Sequence, residues 1–160
     1  GRPGGTDMNT TIRWTAGMQF EGTGEAGATI TMDATPEHGG GGSGPSPMET
    51  VLLALGGCTG MDVVGILTKM RAPLAGLEIR VAADRAEDHP KVFTRIALEY
   101  VFFGAGLRPE QVTRAVELSQ TRYCSVSAML RRITEFTYTW RIEEAPPGRE
   151  PRAPRPGGRL

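Results

Sequence analysis

Metal-ligating side chains are scarce in this chain of 160 residues: it carries two histidines and two cysteines, and neither a CxxC nor an HxxxH pair. That scarcity argues against a structural zinc site, and nothing else in the sequence asks for a metal or a cofactor. Net charge is missing as well. Eighteen basic and eighteen acidic side chains cancel, so the overall field recruits neither nucleic acid nor an anionic membrane. No apolar run reaches about 18 residues without a charged or polar break. The opening residues, GRPGGTDMNTT, lack the apolar stretch of a signal peptide. The expectation is a cytoplasmic protein with no nucleic-acid or membrane partner.

What the chain does have is one long apolar stretch, Ser46 to Arg71. It reads as a single helix with no broad polar face, and therefore as a buried centrepiece. Ser46 at the cap, Pro47 at the first helical position and Glu49 three residues after the cap form an S-x-x-E capping box. Lys69 and Arg71 suit the negative end of the dipole, and Pro73 stops propagation. Gly56, Gly57, Gly60 and Gly65 each weaken the helix by roughly 1 kcal/mol relative to alanine, which suggests close approach of another backbone around Cys58.

Before this helix, Thr10 to Ala34 shows short alternating segments separated by glycines, a three-stranded meander. The run Gly22 to Gly27 spells GxGxxG, but a strand follows it where a dinucleotide fold needs a helix, so it reads as a hairpin turn. Thr35 to Pro45, TPEHGGGGSGP, reads as a flexible loop or lid. After the helix, Leu77–Ala83 and Lys91–Phe103 alternate as an antiparallel hairpin, with His89 in its turn. A helix from Pro109 to about Thr121 presents Val112, Ala115, Val116 and Ser119 on one face. A short helix follows directly after Cys124, and Thr134–Glu143 is a final strand. The fold class is α+β: antiparallel sheets around a long central helix. Residues 10–144 are expected to be one domain, with 1–9 a disordered start or cloning remnant and 145–160 a disordered Pro/Arg/Gly-rich tail. A helix that is apolar all round exceeds the cover six strands supply, which points to a homodimer.

Cys58 and Cys124 admit two readings from their types and spacing: unrelated buried thiols, or a redox pair. Mid-helix, Cys58 gains little from the dipole, so as a nucleophile it needs a cation, an arginine oriented by a carboxylate. Cys124, at a helix start, meets N–H groups that favour thiolate. One thiol oxidised by peroxide to a sulfenic acid and a second that closes the disulfide is the logic of a thiol peroxidase.

The segment GPSPMETVLLALGGCTGMDVVGILTKMR, followed by YCSVSAML, resembles the OsmC/Ohr family of bacterial peroxide-defence proteins, in particular its YhfA-like branch. The resemblance extends from about Thr10 to Glu143. It implies an OsmC-like fold, an intertwined homodimer whose two central helices are wrapped by sheets, and an active site at the subunit interface. It also implies Cys58 as peroxidatic cysteine, Cys124 as resolving cysteine, organic hydroperoxides as substrates, a dithiol reductant and no metal or haem. The family's thiolate is activated by paired arginine and glutamate side chains. Here Met48 stands where that glutamate is expected. Glu49, the candidate for its role, lies about 100° further round the helix. Gly17 to Thr29 holds no arginine, so Arg13 and Arg122 are the neighbouring stand-ins. Two functions follow: a peroxidase using Cys58, Cys124 and Glu49, or a non-catalytic homodimer binding a small apolar or thiol-bearing ligand at its interface.

Overall fold

The structure, a computed structural model, describes residues 7–144; the first six residues and the whole of the expected tail lie outside the described residues. The chain divides into two compact units, one up to Leu52 and one from Leu53 onward.

In the first unit, β1 (Thr11–Ala16), β2 (Gln19–Thr23) and β3 (Thr29–Met32) form the expected antiparallel meander. The GxGxxG run is a hairpin turn. Gly27, at φ +80°, donates its N–H to the Gly24 carbonyl at 3.0 Å, a left-handed conformation that favours glycine.

The glycine-rich segment after β3 is not the slack loop its composition suggests. Asp33, only 4% exposed, organises it: one carboxylate oxygen accepts from the Ala34 N–H at 2.7 Å. The other accepts from the N–H groups of Gly41 and Ser43 and from the Ser43 hydroxyl, at 3.2, 3.1 and 2.7 Å. The glycines are there for close packing as much as for freedom. A Cβ on Gly40 would lie 1.9 Å from the Ala34 carbonyl oxygen, and one on Gly44 would lie 2.4 Å from that of Thr31. These hydrogen bonds, the Ser43 hydroxyl foremost, hold the Asp33 carboxyl below its ordinary value of 3.8. A depressed carboxylate contributes stability that is fully present above the unfolded value and lost as pH falls through the folded one. Amide protection at Gly41 and Ser43, relative to the intrinsic exchange rate at each pH, is therefore expected to fall as pH drops below about 4. Asp33→Asn should remove that acid dependence, which exchange-detected NMR or mass spectrometry measures.

Helix α1 spans Pro47–Lys69, and its capping box forms as read. The Ser46 N–H donates to Glu49 Oε2 at 2.8 Å and the Glu49 N–H donates to Ser46 Oγ at 3.2 Å. The Ser46 N–H foremost, with the Ser46 hydroxyl, holds the Glu49 carboxyl below the usual carboxylate range.

In the second unit, β4 (Gly76–Arg85), β5 (Phe93–Phe103) and β6 (Glu135–Glu143) form one sheet with β5 central. β4 and β5 are the expected antiparallel hairpin. β6 corrects the expectation of antiparallel pairing throughout, because it runs parallel to β5, in register from Arg95 opposite Glu135 to Phe103 opposite Glu143. The physical reason is the connection. Parallel strands need a crossover of a dozen or more residues, and two helices intervene here. β5 carries the core, with Ile96, Leu98, Tyr100, Val101 and Phe102 all buried. Each apolar side chain so buried contributes about 1.5–3 kcal/mol. Helix α2 (Pro109–Leu118) buries Val112, Ala115 and Val116, the face its spacing indicated. On the sheet's outer face Arg80 and Arg141 both reach Glu99; exposed pairs of this kind add little stability.

α1 is long and apolar enough to cross a membrane, yet Leu55, Thr59, Val63 and Leu67 are buried against protein. The expected all-round burial is met on that face alone, for Leu53 and Met61 are 62% and 79% exposed. The close neighbour at its glycines is a side chain rather than a backbone. A Cβ on Gly60 would lie 3.1 Å from the Ile79 methyl, whereas Gly57 and Gly65 face open space.

Candidate functional site

The site is built where α1, β5 and the segment after α2 meet within the second unit. α2 does not simply end near Thr121. It passes into a π-helical turn, Ser119–Tyr123, and the extra residue turns both Ser119 and Gln120 inward, where they are buried. Such insertions occur at functional positions more often than elsewhere.

Cys124 follows, 2% exposed, with extended backbone that makes it the cap of α3 (Ser125–Leu130). Its sulfur stands where a capping oxygen usually does. It accepts from the Ser127 N–H at 3.4 Å and from the Ser127 hydroxyl at 3.1 Å. Burial nevertheless pushes the Cys124 thiol up from its ordinary value of 9.0; the Ser127 bonds oppose the shift, and the Cys58 thiol adds to it. The thiolate-favouring effect expected of this helix start is outweighed by burial. A helix of six residues supplies a weak field, and desolvation of the anion outweighs it. Cys58 is half-buried on α1, and both cysteines are free thiols.

Thr59, the residue after Cys58, anchors a buried hydrogen-bond chain. Its Oγ1 lies 2.6 Å from the Tyr100 hydroxyl and 2.7 Å from Ser119 Oγ. Ser119 donates its one hydrogen to Asp62 Oδ2 at 2.9 Å, so it must accept from Thr59, and Thr59 in turn from Tyr100. Gln120 Nε2 donates to the Tyr100 oxygen at 2.7 Å and to Thr59 at 3.3 Å. Its carbonyl oxygen accepts from the Arg131 guanidinium at 2.8 Å. The donors thus point one way, from the Arg131 cation through Gln120, Tyr100, Thr59 and Ser119 to the Asp62 carboxylate. Burial raises the Tyr100 phenol, which keeps its hydrogen in place as a donor. Among the described residues no buried side-chain nitrogen or oxygen lacks a partner.

The structure thus places the Cys58 thiol within electrostatic reach of Cys124. Glu49 is engaged in the cap of α1, Arg122 lies over the Tyr123 ring at 5.5 Å, and Arg13 lies on exposed β1 of the first unit. Sequence reasoning missed Tyr100, Gln120 and Arg131. Gln120 carried a faint signal, a polar residue beside the apolar face that ends in Ser119. Arg131 is four residues after Ser127, one helical turn, and its Nε reaches the Ser127 carbonyl at 3.3 Å.

A family model described as OsmC-like protein matches residues 40–139, a span holding both cysteines. This chain belongs to the OsmC-like family. Protein YhfA of Escherichia coli K12 is 38% identical to this OsmC-like chain over 138 residues, covering 86% of it and 100% of YhfA. A solved structure of a hypothetical protein from Aquifex aeolicus VF5 is 28% identical, with a TM-score of 0.75 over 88% of this chain and 98% of its own. The organic hydroperoxide resistance protein OhrB of Bacillus subtilis is similar in fold alone. It has a TM-score of 0.56 at 16% identity, over 84% of this chain and 98% of its own.

Proposed function

We propose that this OsmC-like protein is a thiol peroxidase of stress defence that reduces organic hydroperoxides. The observation that carries the proposal is the buried Cys124 thiol, held by Ser127 and within electrostatic reach of the Cys58 thiol. In the first step the Cys58 thiolate attacks the distal peroxide oxygen. The O–O bond breaks, the alkoxide takes up a proton and leaves as alcohol, and Cys58 becomes a sulfenic acid. Cys124 sulfur then bonds to Cys58 sulfur, and the departing hydroxide takes the thiol proton to leave as water. A dithiol donor reduces the disulfide by two exchanges and is itself oxidised.

The active assembly is proposed to be a homodimer, in which a second copy covers the apolar residues that one chain leaves exposed, among them Leu53 and Met61 of α1. Stoichiometric cumene hydroperoxide is expected to yield a Cys58–Cys124 disulfide, seen by peptide mass spectrometry as a linked pair two hydrogens lighter. Reduced thiols after that treatment would refute the mechanism.

Glu49 enters this proposal through the cap it forms. Glutamine also closes a capping box, so Glu49→Gln removes the charge and keeps the cap. We expect its melting temperature and peroxide consumption to stay near wild type, within about twofold in rate. A loss of about tenfold or more with the melting temperature kept would assign the charge a part in catalysis.

A second reading, a homodimer that binds a small apolar ligand without turnover, is favoured by a groove of about 350 Å³ on the first sheet, lined by Ile12, Ala28, Ile30 and Met32. Saturable, donor-dependent loss of cumene hydroperoxide would rule it out as the whole function.

A further inference from the structure

Arg131 occupies a position that neither cysteine explains. Its guanidinium spans two elements: one nitrogen donates to Gln120 Oε1 at 2.8 Å, and Nε donates to the Ser127 carbonyl at 3.3 Å. The first partner leads through Gln120 Nε2 to Tyr100 and to Thr59, adjacent to Cys58 on α1. The second belongs to the residue whose N–H and hydroxyl hold the Cys124 sulfur. The Phe136 ring, 5.4 Å from the guanidinium carbon, supports the plane of the fork.

We infer that Arg131 is a positioning residue for disulfide closure, tying the Cys124 turn through Ser127 to the Gln120–Tyr100–Thr59 chain beside Cys58. The inference deepens the peroxidase reading and rests on it for its biological use, while the clamp itself is a property of the dithiol pair. Closure needs two sulfurs in line, and the effective concentration of one thiol at the other depends on how far the segments bearing them are fixed. A lysine has donors enough but lacks the rigid fork whose separate nitrogens serve the two acceptors here, so it restores the clamp only in part. The step that Arg131 assists is balanced: the Cys124 sulfur forms the S–S bond, the S–O bond of the Cys58 sulfenic acid breaks, and hydroxide leaves with the thiol proton as water. With oxidised glutathione as oxidant, the same disulfide forms as two glutathione thiols are released.

The test uses the full chain in two arms. In the first, wild type, Arg131→Met and Arg131→Lys are equilibrated with glutathione buffers, and the Cys58–Cys124 disulfide is quantified by mass. Arg131→Met is expected to lower the equilibrium constant for closure about tenfold, about 30 mV in potential, with Arg131→Lys in between. In the second, Cys58 sulfenic acid is trapped with dimedone after a hydroperoxide pulse. Its formation in Arg131→Met should stay within twofold of wild type while conversion to disulfide slows about tenfold. Because Arg131 lies at the exposed end of the network, the variant should fold, and Arg131→Ala provides a second truncation. Equal closure constants in wild type and both truncations, or oxidation and closure falling in parallel, would overturn the inference. A wild type that closes with glutathione but forms no sulfenic acid with hydroperoxide would overturn the peroxidase reading instead and leave the clamp standing.

Discussion

Cys58→Ser is expected to lower hydroperoxide consumption by about 10³-fold or more, because it removes the proposed nucleophile. Serine keeps a hydroxyl in nearly the same volume, yet it stays protonated at neutral pH and has no oxidation state corresponding to sulfenic acid. Cys124 cannot substitute, since it is buried with its thiol pushed up and is largely protonated at neutral pH. Cys124→Ser should behave differently. It should consume about one equivalent of hydroperoxide and then stall, with Cys58 advancing to sulfinic acid when peroxide is in excess. Coupled-donor turnover and intact-mass measurements separate the two variants. Full activity in Cys58→Ser would rule out the mechanism.

Thr59→Val is expected to destabilise the fold by about 3 kcal/mol, the larger of two instructive losses in the buried network. Valine fills nearly the volume of threonine, so packing is kept and only the hydroxyl is removed. That hydroxyl accepts from Tyr100 and from Gln120 and donates to Ser119. Removing it leaves the Tyr100 hydrogen without an acceptor in a site where Thr59, Tyr100 and Ser119 are wholly buried. A stranded buried polar group costs about 1–3 kcal/mol. For a chain of this size the combined loss corresponds to a melting temperature lower by roughly 6–12 °C. Tyr100→Phe should cost less, about 1–1.5 kcal/mol, because Gln120 still reaches Thr59 and no hydroxyl is left with a stranded hydrogen. Calorimetry or chemical denaturation reads both variants. A Thr59→Val chain as stable as wild type would show that the network relaxes around the missing oxygen.

The order of elements was legible because each is specified locally. The Ser46–Glu49 capping box, the glycine turns of the meander and the period-two pattern of β4 and β5 all act within a few residues, and each formed where its residues called for it. The direction of β6 was not legible. Alternating apolar residues define a strand's faces but not its polarity, which the length and path of the α2–α3 connection decide. The glycine-rich loop misled for a related reason. Composition measures a chain's freedom, whereas its actual restraint comes from the Asp33 carboxylate, brought beside Gly41 and Ser43 by folding.

The sequence by itself determined the long capped helix with a cysteine at its centre, a second cysteine at the start of a short helix, and the family to which the two motifs belong. Only the tertiary structure decided that Cys58 lies within electrostatic reach of Cys124, that burial pushes the Cys124 thiol up, and that Arg131, Gln120, Tyr100 and Thr59 form one directed chain. The physical reason lies in range. Caps and amphipathic periods are fixed by neighbours within a turn or two, while desolvation and hydrogen-bond pairing depend on whichever distant segments the fold packs around a group.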